Sequence, residues 1–460
     1  MGSEGAAQLE SHKVALLGLG VENRVLGQFL HERGVQFAVC DARSEVATGQ
    51  DAWHASVNAW HLGPDYYEYL ENYELIFRTP GISILHPHLR RARAGGSQIS
   101  SQTKLFFELS PAPILGVTGT KGKGTTSALI TEILQEGLYP RVFLGGNIGL
   151  PPIGFLDQLR RDDLVVLELS SFQLQDLDRS PYLAVVLNVT EDHLDYHADR
   201  DEYIAAKQPI CAHQQEGDVV IYNCDCPQSR QLAAASVAPR RLAFSVCQEV
   251  EAGVWCDGEA LYWRSAPGTA ALRICAVEEV RLPGKHNLEN VAAAVAAAAA
   301  VGATSAQIVA AIRHFKGLAH RLEDVGTRDG VRYYNDSLAT TPEAAVAAIQ
   351  VFDDPVILIA GGSSKGADFT ALGRAVVERQ VRAVILLGEE AARIEVAIVR
   401  EGTYAGEIVR GCADMVAAVA AARNRARSGD VVLLSPGCAS FGLFADYKDR
   451  GRQFKRLAME

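Results

Sequence analysis

The chain has 460 residues, which is too long for one ordinary hydrophobic core and predicts about three domains. Hydrophobic residues make up 48% of it and charged residues 22%, a globular composition that excludes large-scale disorder. A formal net charge of −11 argues against a nucleic-acid or membrane-surface binder, because those proteins need contiguous basic faces.

The cysteines and the amino terminus bear on the cellular compartment. The nine cysteines are scattered, with one close pair at Cys224 and Cys226, so neither a disulfide framework nor a zinc site is expected. Residues 1–12 lack the basic and apolar pattern of a signal peptide, and the longest apolar run, residues 291–301, is about half the length that crosses a bilayer. We therefore predict a cytoplasmic protein without a membrane segment.

The first region begins with a strand, a glycine loop and a helix predicted at about residues 24–33. Residues 13–17 form an apolar run that leads into Gly18 and Gly20, and a second strand is predicted to end at Asp41. An acid about 20 residues beyond such glycines is typical of dinucleotide sites, but Asn23 stands where the third glycine would be. A nicotinamide oxidoreductase and a loop that binds some other diphosphate therefore both remain open.

A second glycine loop lies between an apolar strand at residues 114–117 and a predicted helix at residues 125–134. Its glycines let successive backbone N–H groups point inward, and the helix adds its positive dipole end, so the loop is predicted to bind nucleotide phosphates. Lys123 would place a cation on the terminal phosphates, and a threonine hydroxyl would face magnesium. Gly124 departs from the standard P-loop, in which a hydroxyl residue follows the lysine. The predicted binding residues are Gly119, Thr120, Lys121, Gly122, Lys123, Gly124, Thr125 and Thr126.

Polar side chains follow the predicted strands of the same region. Glu168 ends a strand at residues 164–168, where its carboxylate could meet magnesium; a solvated loop acid is the alternative. His193 lies among acids and could be a second magnesium ligand, a proton carrier or a residue merely hydrogen-bonded to those acids. Lys207 is predicted to lie on a helix at residues 201–210 and to be solvated, because an unmodified lysine is unfavourable near magnesium.

The rest of the chain predicts an antiparallel addition and a third domain. Turn-rich strands at about residues 242–282 indicate the addition, and beyond them Asn287 and Asn290 either frame a purine edge or serve only as caps, with Asn287 as the N-cap. From about residue 317 five strand-like runs alternate with helices, which predicts a parallel sheet covered on both faces. The predicted strands lie at residues 331–335, 356–360, 384–387, near 408 and at 431–435. Arg321 lies just past this boundary, where it could reach a nucleotide held by the middle region. The predicted fold is α/β with three domains, at residues 1–102, 103–316 and 317–460.

Several short motifs together resemble one protein family. The strings LELSSFQL at residues 167–174 and NVTEDH at residues 188–193 resemble the glutamate-adding branch of the Mur ligases of bacterial peptidoglycan synthesis. The resemblance covers nearly the whole chain. Its other motifs are GTKGK at residues 119–123, GGNIG at 145–149, HN at 286–287, HR at 320–321, NDS at 335–337 and SPGCAS at 435–440.

The resemblance implies a division of labour among the domains. A Rossmann-like first domain would bind a UDP-sugar. A P-loop ATPase-like middle domain would bind ATP and magnesium, and a Rossmann-like last domain would bind the incoming amino acid. The implied reaction adds D-glutamate to UDP-N-acetylmuramoyl-L-alanine through an acyl phosphate, formed when the acceptor carboxylate attacks the γ-phosphate of ATP. The expected ligands are ATP, two magnesium ions and these two substrates, and the enzyme is expected to be a monomer.

The same resemblance implies roles for individual residues. Lys123 would be catalytic, Glu168 and His193 would hold metal, and Lys207 would be carbamylated, which turns a repelled ammonium into an anion. Thr125 would supply the hydroxyl that the P-loop otherwise lacks. The nucleotide would contact Asn287, Asn290, Arg321 and Asp336. The UDP-sugar would contact Arg43, Thr79 and Asn147, and the substrate channel would be lined by Ser170 and Gln173. Glutamate would contact Thr340, Lys365, Ser440 and Tyr447.

Four residues depart from the family pattern, and four alternatives remain. Gly124 replaces the hydroxyl residue that usually follows the loop lysine, and a nicotinamide oxidoreductase built on Gly18 and Gly20 would leave the second glycine loop unexplained. Leu338 stands where a lysine is usual and Tyr447 where a phenylalanine is common, which leaves L-glutamate open as the added amino acid. Glu22, in the first glycine loop, is also unusual. A folylpolyglutamate-type ligase shares the second glycine loop but would not need the first. A noncatalytic nucleotide-binding switch is the rival outside the enzymes, and it would leave the glutamate-binding residues unexplained.

Overall fold

A computed structural model describes residues 9, 11–45, 51–147, 150–190, 197–238, 240–364 and 367–460. Two compact units make up the chain, namely Met1–Val280 with His286–Arg313, and Arg281–Lys285 with His314–Glu460. The first unit contains two sheets and the second unit contains one. The sheets are wholly or mostly parallel, which confirms the predicted three-domain α/β class. None of the helices in the described ranges is long and apolar enough to cross a membrane.

The first sheet is built from five parallel strands: β1 (Val14–Leu17), β2 (Phe37–Asp41), β3 (Val57–Leu62), β4 (Leu75–Arg78) and β5 (Gln98–Ser100). Every residue of β1, β2 and β4 is buried, as expected for a parallel sheet covered on both faces. The spatial order β3-β2-β1-β4-β5 reverses its direction between β1 and β4. The loops after these two strands therefore frame the crevice in which open α/β sheets bind ligands.

In the described part of this region the sheet is accompanied by the helices α1 (Val21–His31), α2 (Pro87–Ala94) and α3 (Gln102–Leu109), with 3-10 turns at Ala52–Ser56 and Leu70–Asn72. Helix α1 starts directly after the Gly18 to Gly20 loop, three residues earlier than the apolar spacing predicted. The first turn of α1 therefore belongs to the crevice, with its unpaired N–H groups beside the loop.

The middle sheet has nine strands: β6 (Ile114–Thr118), β7 (Val142–Gly146), β8 (Leu164–Glu168), β9 (Leu183–Val186), β10 (Val219–Asn223), β11 (Arg240–Ser245), β12 (Gly253–Cys256), β13 (Ala260–Arg264) and β14 (Leu272–Ala276). Their order is β14-β13-β12-β11-β10-β9-β6-β8-β7. Only β13 and β14 pair in the antiparallel sense, with β12 and with each other. The antiparallel addition is confirmed, but β11 and β12 still continue the parallel sheet.

The helices of the middle region, outside residues 148–149, 191–196 and 239, are α4 (Lys123–Gln135), α5 (Ser171–Leu174), α6 (Arg200–Ala205), α7 (Pro209–Ala212), α8 (Pro227–Ala234), α9 (Lys285–Ala300) and α10 (Ser305–His314), with 3-10 turns at Pro152–Gln158 and Val277–Glu279. Proline lacks a backbone N–H and disfavours helix in the residue before it, so Pro209 splits the helix predicted at residues 201–210. Lys207 therefore lies in the turn between α6 and α7. Asn287 is the third residue of α9, so its predicted N-cap role was wrong.

The third sheet has six strands: β15 (Glu323–Arg328), β16 (Val331–Asn335), β17 (Val356–Gly361), β18 (Ala383–Leu387), β19 (Glu407–Cys412) and β20 (Val431–Leu434), in the order β15-β16-β20-β17-β18-β19. Its helices are α11 (Pro342–Ile349), α12 (Thr370–Glu378), α13 (Ala391–Arg400), α14 (Met415–Arg423) and α15 (Tyr447–Met459). The five predicted strands are present. The sixth, β15, was missed; it pairs antiparallel with β16 through a hairpin at Asp329 and Gly330, which have φ angles of 51° and 74°.

Candidate active site

The second glycine loop follows β6 and leads into α4, as predicted. Gly122 is the N-cap of α4 and has a φ of 89°, a backbone conformation that favours glycine. A Cβ atom at this position would lie 2.0 Å from Oδ1 of Asn290, so the loop also needs the absence of a side chain there. Asn290 and Asn287 are both buried, and Nδ2 of Asn290 donates to Oδ1 of Asn287 at 3.2 Å. The predicted purine contacts thus lie against the predicted phosphate loop.

The loop is anchored through Thr120 to the segment that follows β9. The Thr120 N–H donates to the carbonyl of Asn188 at 2.8 Å, and the Thr190 N–H donates to Oγ1 of Thr120 at 2.9 Å. The hydroxyl of Tyr203 lies 3.0 Å from the same Oγ1. Thr120 therefore uses both its hydroxyl and its backbone N–H to hold the loop.

Two lysine ammonium groups converge on one carbonyl of the loop. Nζ of Lys123 donates to the carbonyls of Gly119 and Thr120 at 3.2 Å and 3.1 Å, and Nζ of Lys207 donates to that of Gly119 at 3.3 Å. Lys207 is 1% exposed, and its ammonium lies 4.5 Å from the centre of the Tyr203 ring. The residue-based expectation that Lys207 is solvated was therefore wrong. Such a concentration of positive charge suits a polyanionic ligand.

Glu168 lies at the carboxyl end of β8, level with Val117 of the neighbouring β6. Its side chain is buried, and its Oε1 accepts from Nδ2 of Asn147 at 3.1 Å. Its Oε2 is also buried and has no hydrogen-bond partner in the part of the chain that the structure describes. A buried carboxylate oxygen without a donor is costly, so this oxygen fits a metal cation. The solvated alternative for Glu168 is contradicted.

The rest of the predicted metal set is only partly described. Thr125 is buried near the start of α4, and the neighbouring Thr126 has a buried Oγ1 without a hydrogen-bond partner in the described ranges. His193 lies outside the described residues, as do its acidic neighbours. Among the residues that are described, no group of three or more His, Cys, Asp or Glu side chains could hold a metal ion.

Arg43 and Thr79 both border the first glycine loop. Thr79 packs so closely that a Cβ atom on Gly18, which has a φ of 76°, would lie 2.5 Å from its Cγ2. Asp41 accepts hydrogen bonds from the Leu19 N–H at 2.7 Å and from Nε of Arg43 at 2.7 Å. Burial alone would raise the pKa of Asp41, but these bonds outweigh it and lower the pKa to about 2. Asp41 therefore stays ionised and shapes the loop.

Asn23 explains why this loop lacks a third glycine. Its Nδ2 lies within 3.1 Å of three backbone carbonyls, those of Leu17, Gly18 and Phe77. Leu17 and Phe77 belong to β1 and β4, so one side chain holds together the two strands that frame the crevice. The local sequence signalled only an incomplete dinucleotide motif, and the contact with β4 could not be read from it.

Ser170 and Gln173 form a capping box at the start of the short helix α5. Oε1 of Gln173 accepts from the Ser170 N–H at 3.0 Å, and Oγ of Ser170 accepts from the Gln173 N–H at 3.3 Å. The Ser170 hydroxyl is partly exposed, whereas Gln173 is 1% exposed. Of the two residues predicted to line the substrate channel, Ser170 is therefore the more accessible.

In the second unit Asp336 follows β16 and is buried. It accepts from Oγ of Ser435 at 2.7 Å and from the Leu322 N–H at 3.1 Å. Burial raises the pKa of Asp336 to about 6, against these hydrogen bonds and the charge of the nearby Arg321, which lower it. The predicted nucleotide contacts Arg321 and Asp336 are therefore brought together within this unit.

The predicted glutamate-binding residues lie on loops of the same unit. Ser440 is buried after β20, Tyr447 is the first residue of α15, and Thr340 is partly exposed before α11. Lys365 lies outside the described residues. Its role stays a prediction, as do those of the other three.

Arg450 organises these loops and was not predicted. It is fully buried, and it donates to Oγ and to the carbonyl of Ser337 at 2.9 Å and 2.8 Å. It also donates to the carbonyls of Cys438 and Ala439 at 3.1 Å and 3.2 Å. Burial lowers the pKa of Arg450 to about 10. The sequence offered one signal for this role, namely that Arg450 lies on the apolar face of α15 that Phe454 also occupies.

Three domain families match the chain. The family described as Mur ligase MurD-like, N-terminal domain, matches residues 12–101, and the Mur ligase middle domain matches residues 117–298. The family described as Mur ligase, glutamate ligase domain, matches residues 320–438. Together these matches cover most of the chain.

Curated relatives are similar over their full length. The UDP-N-acetylmuramoylalanine--D-glutamate ligase of Symbiobacterium thermophilum is 42% identical over 451 residues, which is 97% of each chain. The protein of the same name from a Roseiflexus species is 38% identical over 98% of this chain and 99% of the relative. Among solved structures, UDP-N-acetylmuramate-alanine ligase MurC from Thermotoga maritima has a TM-score of 0.56 at 17% identity, covering 97% of this chain and 98% of its own. At this low sequence identity, the likeness to the Thermotoga maritima structure supports the fold alone.

Proposed function

Because this chain belongs to the Mur ligase family, we propose that it joins D-glutamate to UDP-N-acetylmuramoyl-L-alanine in peptidoglycan precursor synthesis. The chain is an ATP-dependent amide-bond ligase. The observation that carries the proposal is the convergence of the Lys123 and Lys207 ammonium groups on the Gly119 carbonyl. Positive charge is concentrated there, where a triphosphate held by the loop would lie.

The proposed chemistry has two steps. The acceptor carboxylate attacks the γ-phosphorus of ATP, the bond to ADP breaks, and an acyl phosphate forms. The amine of D-glutamate then attacks the acyl carbon, phosphate leaves, and the nitrogen loses a proton as the amide forms. The first step brings two anions together, so a cation must offset their repulsion. Lys123 is placed to do so once its ammonium moves from the loop carbonyls to the phosphates.

Magnesium fits the residues around the loop. Glu168 would hold it through the buried Oε2, which lacks a donor in the described ranges, with Thr125 and His193 as further predicted ligands. A bound magnesium ion supplies positive charge to the phosphate oxygens and orients them. Two ions are proposed, as the resemblance implies.

We place the three ligands on separate domains, within residues 1–102 for the UDP-sugar, 103–316 for ATP and 317–460 for glutamate. The Asp41-shaped loop beside Arg43 and Thr79 supports the first assignment. The loop with Asn287 and Asn290 supports the second, and the Arg450-held loops support the third. A cytoplasmic monomer is part of the same proposal.

Lys207 is proposed to act as a carbamate. Its buried ammonium shares an acceptor with that of Lys123, so two like charges lie close together and repel. Attack of the neutral amine on carbon dioxide forms an N–C bond and releases a proton, which converts this cation into an anion. The carbamate could then bridge toward magnesium.

Replacing Lys207 tests that role. We expect Lys207→Ala to lose most activity, since the variant lacks the anion, and we expect a short-chain carboxylic acid in the buffer to restore part of it. Phosphate release measures both effects. The same acid should not restore Lys123→Ala, which lacks a cation. A Lys207→Ala variant that no acid rescues would contradict the carbamate.

Phosphate release also tests the proposed substrates. With UDP-N-acetylmuramoyl-L-alanine and ATP, we expect release when D-glutamate is added and little when L-glutamate replaces it. Release with L-glutamate alone would identify the second amino-acid specificity that Leu338 and Tyr447 left open. No acceptor-dependent release with either amino acid would overturn the proposed function, and a folate acceptor would then test the remaining ligase alternative.

A further inference from the structure

Glu22 is the unusual residue of the first glycine loop, and the proposed function does not account for it. It is the second residue of α1, two positions after Gly20. Its Oε1 accepts from Nε2 of Gln173 at 2.7 Å, and its Oε2 accepts from Nε2 of Gln102 at 2.9 Å. Gln102 begins α3, whereas Gln173 lies on α5, just beyond β8 of the middle sheet. Through Gln173, Glu22 therefore joins the first glycine loop to the middle region.

The two glutamines together need two acceptor oxygens at position 22, one for each NH₂ group. Oε1 of Gln173 already accepts from the N–H and the hydroxyl of Ser170, at 3.0 Å and 3.1 Å. Oε1 of Gln102 accepts from the Ile153 N–H at 3.4 Å. Neither amide can flip without losing these bonds, so each presents its NH₂ group to position 22. A carboxylate offers two acceptors there, whereas a neutral amide offers one.

The charge of Glu22 is compatible with this position. Burial raises its pKa, but the hydrogen bonds from Gln102 and Gln173 and the charge of Arg78 oppose the rise. The first turn of a helix also favours a negative side chain. Since both carboxylate oxygens act as acceptors, the ionised form fits the two donors.

We infer that Glu22 is a positioning residue, which sets the first glycine loop against the Ser170 to Gln173 turn and, through it, against Glu168. The inference rests on the proposed function, in which the loop holds the acceptor and Glu168 holds magnesium. Glu22 touches neither reactant in this scheme. It fixes the distance between the two segments that carry them.

Loss of the hydrogen bonds that Glu22 accepts has a specific kinetic consequence. The first glycine loop keeps Thr79, Asp41 and Asn23, so it would still bind the UDP-sugar. The acceptor carboxylate would, however, meet the γ-phosphate in a less defined geometry, and misplacement of about 1 Å can cost a hundredfold in rate. Turnover should therefore fall more than the KM for the UDP-sugar changes.

The test is a pairwise exchange of the two side chains. We expect Glu22→Gln to lower kcat about tenfold or more while the KM for UDP-N-acetylmuramoyl-L-alanine changes less than about threefold. Gln173→Glu should lower kcat further, because two carboxylates then face each other. In the double variant the new amide donates to the new carboxylate and accepts from Gln102, and a Ser-x-x-Glu capping box remains. Because Gln173 is 1% exposed, the exchange leaves the accessible side of the substrate channel to Ser170. The kcat of the double variant should therefore return to within about threefold of the wild-type value.

A matched control distinguishes the hydrogen bonds of Glu22 from other contacts between the first and middle regions. Asp157, on the Pro152–Gln158 turn, accepts from Nη2 of Arg33 at 2.6 Å. Arg33 lies in the turn that follows α1, at the opposite end of that helix from the glycine loop. We expect Asp157→Asn to keep the wild-type kcat. An unchanged kcat in Glu22→Gln, or a double variant whose melting temperature recovers while its kcat does not, would overturn the inference. A wild-type protein that releases no phosphate would instead count against the proposed function.

Discussion

Lys123→Ala is expected to lower turnover by about a hundredfold to a thousandfold while the fold stays intact. The lysine is the residue placed to offset charge as a carboxylate approaches the triphosphate, and loss of one such preorganised donor has an effect of about this size. In the structure its Nζ donates to the carbonyls of Gly119 and Thr120, at 3.2 Å and 3.1 Å, and these hydrogen bonds can be exchanged for bonds to phosphate oxygens. Phosphate release at saturating substrates measures the change.

The control for this variant is Lys13→Ala. Lys13 is an exposed lysine at the start of β1, so its removal changes the net charge equally without touching the loop. Both variants should melt close to the wild-type temperature by circular dichroism. Turnover close to that of the wild type in Lys123→Ala would refute the assigned role.

Arg450→Met is expected to destabilise the second unit by about 3 kcal/mol or more. Methionine fills much of the same volume but donates nothing, which leaves the carbonyls of Ser337, Cys438 and Ala439 without this donor in a buried setting. The loops after β16 and β20 should loosen as a result. We also expect a higher KM for glutamate, because Ser440 lies on the second of these loops.

Urea unfolding followed by far-ultraviolet circular dichroism measures this change. Tryptophan fluorescence would not report on the second unit, since all four tryptophans lie in the first unit. Arg456→Met is the control: this arginine lies on the same helix, and its side chain is 62% exposed in a pair with Glu460. It should cost less than about 1 kcal/mol. Equal destabilisation by the two substitutions would show that the buried hydrogen bonds of Arg450 contribute little.

Local sequence patterns predicted the sheets well. The apolar run at residues 164–168 matches β8 residue for residue, because a buried parallel strand needs little beyond its own side chains. Strand β15 was missed because Glu323–Arg328 is a partly exposed edge strand with few apolar residues, although the Asp329-Gly330 pair is a strong hairpin signal. The helix predicted across Lys207 was wrong because Pro209 interrupts it, leaving Lys207 in a turn between two short helices.

The candidate site was predictable where its parts are contiguous in sequence. The loop around Lys123 and the strand end at Glu168 are of this kind. Arg450 and the partners of Glu22 were not predictable, because their roles depend on Ser337 and Gln173, which are distant in the chain and come close only through the fold. Burial of a polar side chain depends on such contacts, and one sequence does not contain them.

The contact between Gly122 and Asn290 restricts how this protein can evolve. Any side chain at position 122 would collide with an amide that lies on a helix from a much later part of the chain. A lineage that lost the glycine would first have to shorten the asparagine, and the intermediate would lack an amide at the predicted purine contact. Substitutions at positions 122 and 290 are therefore expected to occur together, which couples the evolution of the phosphate loop to that of α9.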